Sequence, residues 1–139
     1  MVFTALKRMK NEAGQAVVEL AITLPILIII LCGIIDYGWI ITNQNAVDHS
    51  AREGARYAIV HSSGSGAVAD IKEYTLSLVP QRMRGSMNVA VTFTNPNDRR
   101  SGDVIIDVSA EVSILTPVVG IFFEGQAVSL NSSCRMKVE

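Results

Sequence analysis

Cysteine is scarce in this chain: Cys32 and Cys134 are the only two. One lies inside an apolar run and the other near the carboxyl end. They are read as unpaired, since a disulfide needs Cα atoms within about 7 Å. Two cysteines and two histidines supply neither a disulfide framework nor zinc-ligand spacing. His49 with Glu53, or with Asp48, is too little for a metal or catalytic site and reads as a solvated helical face. An excess of one charge is missing too. The formal net charge is -1, so nothing electrostatic points to nucleic acid. No nucleophile, base and stabiliser can be placed together. Ser62-Ser63-Gly64-Ser65-Gly66 lacks the Lys and Ser/Thr that follow a phosphate-binding loop and reads as a flexible linker. Neither an enzymatic role nor a cofactor or metal is expected.

What the chain does have is apolar sequence gathered in one place. Residues 14–35 read GQAVVELAITLPILIIILCGII, with Glu19 the one ionisable side chain. A membrane span needs about 20 predominantly apolar residues, and Trp39, Ile40 and Ile41 can extend this one. Lys7, Arg8 and Lys10 precede the run and Asp36 follows it. The positive-inside rule then places the amino terminus in the cytoplasm and the remainder outside. Tyr37 and Trp39 stand where an interfacial aromatic belt would lie, and Asp36 is read as marking the same boundary. No small-residue cleavage site of a secretory signal follows Ile35. Leu31 stands before Cys32, where a lipoprotein would carry a small residue. Pro25 inside the run predicts a helix kink. Gly33 and Gly38 offer close-packing surfaces without forming a G-x-x-x-G motif.

Beyond the run, residues 41–60 continue the helix. Val47, Ala51, Gly54, Ala55 and Ala58 share one face, and Gln44, Asp48, Arg52 and Arg56 line the other. Asp48 with Arg52, and His49 with Glu53, are spaced to pair. Residues 67–78 read as a short amphipathic helix, with Ile71, Leu78 and Tyr74 on its apolar side and Pro80 as its stop. After Gly85 the period becomes two. Met87, Val89, Val91 and Phe93 alternate with polar neighbours, as do Val104, Ile106, Val108, Ala110, Val112 and Ile114. Val128, Leu130, Cys134, Met136 and Val138 do the same. Asn95-Pro96-Asn97-Asp98 with Gly102 is a turn cluster, and Arg99-Arg100 a solvated turn tip. Three half-buried strands make an antiparallel sheet, and the upper part of the long helix is the cover it needs. The expected fold is α+β: a long amino-terminal helix, transmembrane and then amphipathic, against a small antiparallel sheet of about three strands. Residues 117–123 are apolar without strand patterning. They read either as a loop closing the core edge or as an exposed surface touching the membrane or another subunit.

Gly14-Gln15-Ala16-Val17-Val18-Glu19 resembles the processing site of type IV pilins and pseudopilins: a glycine, a cut, then glutamate at the fifth position of the product. GQAVVELAITLP, CGIIDYG and AREGARYA together resemble TadE-like minor pseudopilins of tight-adherence (Tad, Flp) pilus systems, and the closing CRMKVE resembles the end of that family. Gln15 stands where many type IV pilins begin with phenylalanine. Leu20 stands where major Flp pilins carry an aromatic. Both departures favour a minor component. The resemblance implies a pilin-like fold in three parts: a leader over residues 1–14, an extended helix over 15–60 and an extracytoplasmic domain over 61–139. It implies cleavage after Gly14 by a prepilin peptidase. The implied partners are the lipid bilayer, a second minor pseudopilin, the major Flp pilin and the assembly machinery, with work in pilus assembly, adherence and biofilm formation. The alternative is an uncleaved single-pass protein whose tethered domain binds or senses outside the membrane.

Chemistry supports the same spacing. A cut after Gly14 leaves a free ammonium on Gln15, one helical turn from Glu19. A carboxylate in an apolar setting is tolerable when paired. The partner is the ammonium of the same chain or that of a neighbouring subunit.

Overall fold

The computed structural model describes residues 2–62, 66–95, 102–120 and 127–138, with side chains from Gly14 onward save those of Val118 and Val119. Much of the 62–66 linker, the turn at 96–101 and residues 121–123 therefore lie outside the described residues. The elements in chain order are α1 (Val2–Val60), α2 (Ala67–Ser77), α3 (Gln81–Arg84), β1 (Met87–Phe93), β2 (Gly102–Ser113), α4 (Pro117–Gly120) and β3 (Ala127–Val138).

One helix of 59 residues dominates the molecule, about 88 Å long at 1.5 Å per residue. Its two halves have different surroundings. Every residue from Gly14 to Leu31 is exposed. From Asp36 upward a buried stripe runs through Asn43, Val47, Ser50, Ala51, Ala55 and Ala58, at the three- and four-residue steps of one helix face. Pro25 lies inside α1 without ending it.

The sheet has the order β1-β2-β3, with both pairings antiparallel. Its register places apolar rows on one face: Val91 opposite Ile106 opposite Cys134, and Phe93 opposite Val104 opposite Met136. A side-chain period of two forces this, and α1 covers that face along β2 and β3 while α2 covers β1. Small side chains on the upper half of α1 let helix and sheet approach closely, and Val104, Ile106, Val108 and Ile71 are almost fully buried between them. This is the pilin-like α+β arrangement expected from the sequence.

Two side-chain pairings expected on α1 do not form. Asp48 accepts from Gln44 Nε2 at 2.9 Å rather than pairing with Arg52, and the same Gln44 nitrogen reaches the Asn131 carbonyl at 3.1 Å. Among the described residues, no His49–Glu53 pair closes either. The chain after α2 forms a further short helix, α3, tied back by Arg84 Nη2 to the Ser77 carbonyl at 3.0 Å and by Ser86 Oγ to the Glu111 carbonyl at 2.8 Å. An ion pair joins Arg135 to Asp103 at 3.4 Å on the exposed sheet face, where solvent leaves such pairs little net worth.

Candidate functional site

Two parts of α1 carry the candidate function: the stretch from Gly14 to Pro25 and the junction where the helix meets the domain. Gly14, Gln15 and Glu19 lie on continuous helix and are exposed. Gln15 and Glu19 are four residues apart and so share a face. Glu19 takes no partner among the described residues of the uncut chain. A β-carbon at Gly14, Gly33 or Gly38 would meet nothing within 4 Å, so the single chain leaves these positions open to other molecules. From Gly14 to Leu31 every residue of α1 is exposed.

The junction is built around Asp36. Its carboxyl is 2% exposed. Oδ1 accepts from the backbone N–H groups of Leu115 and Thr116, both at 3.0 Å, and Oδ2 from the Thr116 hydroxyl. Thr116 directly precedes α4, so the carboxylate sits at the start of that short helix and ties it to α1 across about 80 residues of sequence. A carboxylate with three donors is satisfied without water. Asp36 is therefore a tie inside the fold, a role that its reading as a boundary marker did not include. The sequence gives one signal for this role: Asp36 falls on the same face as Asn43 and Val47, at steps of seven and four.

One turn above, Asn43 Nδ2 donates to the Trp39 carbonyl at 2.7 Å, and the Arg82 guanidinium lies 4.4 Å from the Trp39 ring centre. The Trp39 indole N–H is buried with no partner among the described residues. It borders a cleft of about 110 Å³ with Asn43, Arg82 and Glu111. Asn43 and Arg82 were not singled out from the sequence. Asn43 was legible as a polar residue on the buried stripe, whereas Arg82 reaches Trp39 only through the fold.

The AREGARYA stretch has a packing explanation. Gly54 is the point where α2 crosses α1, and a β-carbon there would lie 2.4 Å from Thr75 Oγ1 and 3.1 Å from its methyl carbon. Thr75 is fully buried and donates its hydroxyl to the Ile71 carbonyl at 2.7 Å. Tyr57 stacks between His61 and Tyr74, with ring centres 3.9 and 4.2 Å away. Arg52 and Arg56 point to solvent.

The outer sheet face carries a shallow depression of about 470 Å³ lined by Asn88, Asp107, Ser109 and Asn131. Cys32 and Cys134 are free thiols, each half-buried. Among the described residues, no three His, Cys, Asp or Glu side chains gather to hold a metal. By length and composition, α1 can cross a membrane.

Neither the curated proteins nor the solved structures include a match to this chain. Residues 14–56, the stretch that opens at Gly14 and closes within AREGARYA, match the family model described as TadE-like protein, so the likeness lies in the long helix α1.

Proposed function

We propose that this chain is a minor pseudopilin of a Tad-type pilus, cut after Gly14 by a prepilin peptidase and taking part in pilus assembly and, through the pilus, in adherence and biofilm formation. Before assembly it is held in the cytoplasmic membrane by α1, with residues 1–14 as a cytoplasmic leader and the α+β domain outside. Its partners are the peptidase, a second minor pseudopilin, the major Flp pilin and the assembly machinery. No catalytic role is assigned to it.

The observation that carries this reading is the exposed, unpartnered state of α1 from Gly14 to Leu31, in the segment that matches the TadE-like family. A helix apolar on all sides must be covered by lipid or by other helices, and a filament of packed helices supplies the second kind of cover. Glu19 then needs a cation, since an unpaired carboxylate in lipid is costly. The new Gln15 ammonium of the same or a neighbouring subunit supplies it, and couples assembly to processing. Pro25 removes one backbone hydrogen bond in this segment. It acts as a local weak point where the helix adjusts on leaving lipid for the filament.

Glu19→Ala tests this. Incorporation of the chain into sheared pili is expected to fall at least tenfold. Thermal unfolding of the domain should stay unchanged, because Glu19 is exposed and distant from the core. Normal incorporation of Glu19→Ala would contradict the pairing.

A further inference from the structure

The apolar run ends at Ile35 in the sequence, yet the folded chain carries its apolar surface higher. Ile34, Ile35, Tyr37 and Ile41 are 63, 45, 68 and 42% exposed. Asp36 interrupts them in sequence alone, because its carboxylate is buried against Leu115 and Thr116. That same tie fixes Leu115, 57% exposed, and the exposed Pro117 at the level of Asp36. One turn lower, Cys32 and Gly33 are half-buried, whereas every residue from Gly14 to Leu31 is exposed. At the level of Asp36 itself, α4 packs on α1. One turn higher, the Arg82 guanidinium lies over the Trp39 indole. Rising along α1, the order is aliphatic, then indole, then cation. A bilayer presents acyl chains, then the interfacial belt, then phosphates in the same order. Residues 18–37 span about 30 Å of helix, the thickness of a hydrocarbon core, and leave Trp39 just above it. This register costs nothing at Asp36, whose carboxylate is already satisfied.

We propose that the membrane-proximal end of the domain, Leu115 and the start of α4 around Asp36, is seated in the bilayer leaflet on the domain's side. Lipid acyl chains, rather than water, cover Leu115 and Pro117, and the Arg82–Trp39 stack faces the headgroups. The domain is then held upright on the membrane instead of swinging on a stalk. This rests on reading α1 as membrane-spanning, and the test separates the two.

The full chain, with Cys32 and Cys134 replaced by alanine, is reconstituted in phosphatidylcholine–phosphatidylglycerol vesicles. An environment-sensitive fluorophore is attached at one introduced cysteine: Leu115→Cys, Ile28→Cys within the run, or Ser129→Cys on the outer sheet face. The Leu115 label should be shielded from aqueous iodide at least fivefold relative to the Ser129 label. It should also be quenched most by nitroxides placed high on the acyl chain, and the Ile28 label by deep ones. A deep Ile28 label with a Leu115 label as accessible as that on Ser129 overturns the seating and leaves the membrane span intact. An iodide-accessible Ile28 label overturns both. In the unmodified chain, Trp39 is the sole tryptophan. Bromines high on the acyl chain should quench it more strongly than bromines near the terminal methyl. Equal, weak quenching by both, with free access to iodide, also overturns the seating.

Discussion

Asp36→Ala is expected to destabilise the domain by about 2–4 kcal/mol and to release the 114–117 turn. Hydrogen bonds to a charged acceptor contribute roughly 1.5–3 kcal/mol each, and three donors converge on this carboxylate. The removed carboxylate takes its own desolvation cost with it, so the net loss is smaller than the sum of the three. What remains is the cost of two backbone N–H groups, those of Leu115 and Thr116, left in a part-buried place without an acceptor. Asp36→Asn keeps Oδ1 for both N–H groups and asks only the Thr116 hydroxyl to turn and accept, so about 1 kcal/mol is expected. Hydrogen exchange at the Leu115 and Thr116 amides of the full chain in detergent reads this directly. Exchange at both should quicken at least tenfold in Asp36→Ala and little in Asp36→Asn. Unchanged protection in Asp36→Ala would show that the turn is held by something other than this carboxylate.

Gly54→Ala should be destabilising although alanine is the better helix former by about 1 kcal/mol. The new β-carbon would lie 2.4 Å from Thr75 Oγ1, 3.1 Å from Cγ2 and 3.3 Å from Cβ. Thr75 is β-branched, fully buried and bonded to the Ile71 carbonyl, so it cannot simply swing away. Overpacking of this kind costs about 1–3 kcal/mol. Thr75→Ala in the same chain removes the two nearest atoms and should restore part of the loss. A double-mutant cycle on thermal unfolding should then return a favourable coupling of about 1 kcal/mol or more. A Gly54→Ala chain that melts higher than the parent would remove the helix crossing as the reason for this glycine.

The sequence made legible those features that repeat. Alternation marked all three strands and the inward face that holds Val91, Ile106 and Cys134 in one row. The four-residue step marked the stripe through Val47, Ala51 and Ala58. Features joined by a single distant contact were not legible. Asp36 read as a boundary marker because a charge after an apolar run ordinarily meets water. Its partners are 79 and 80 residues away, and nothing local to it signals them. Gly54 was visible as part of a small-residue face, but Thr75, the group that demands it, sits on another helix. The four-residue helices α3 and α4 are too short to leave a period. The Gly14–Glu19 spacing was plain in the sequence. Its proposed pairing needs a new amino terminus, so the fold of the uncut chain does not display it.

The pairing proposed for Glu19 requires Gln15 to become that terminus. The intact mass and amino-terminal residue of the membrane-extracted protein, compared with and without the cell's prepilin peptidase, test this most directly. A chain beginning at Gln15 is expected only where the peptidase is present. A chain beginning at Met1 in both cells would contradict it, leave Glu19 without its cation and favour a tethered domain that never enters a filament.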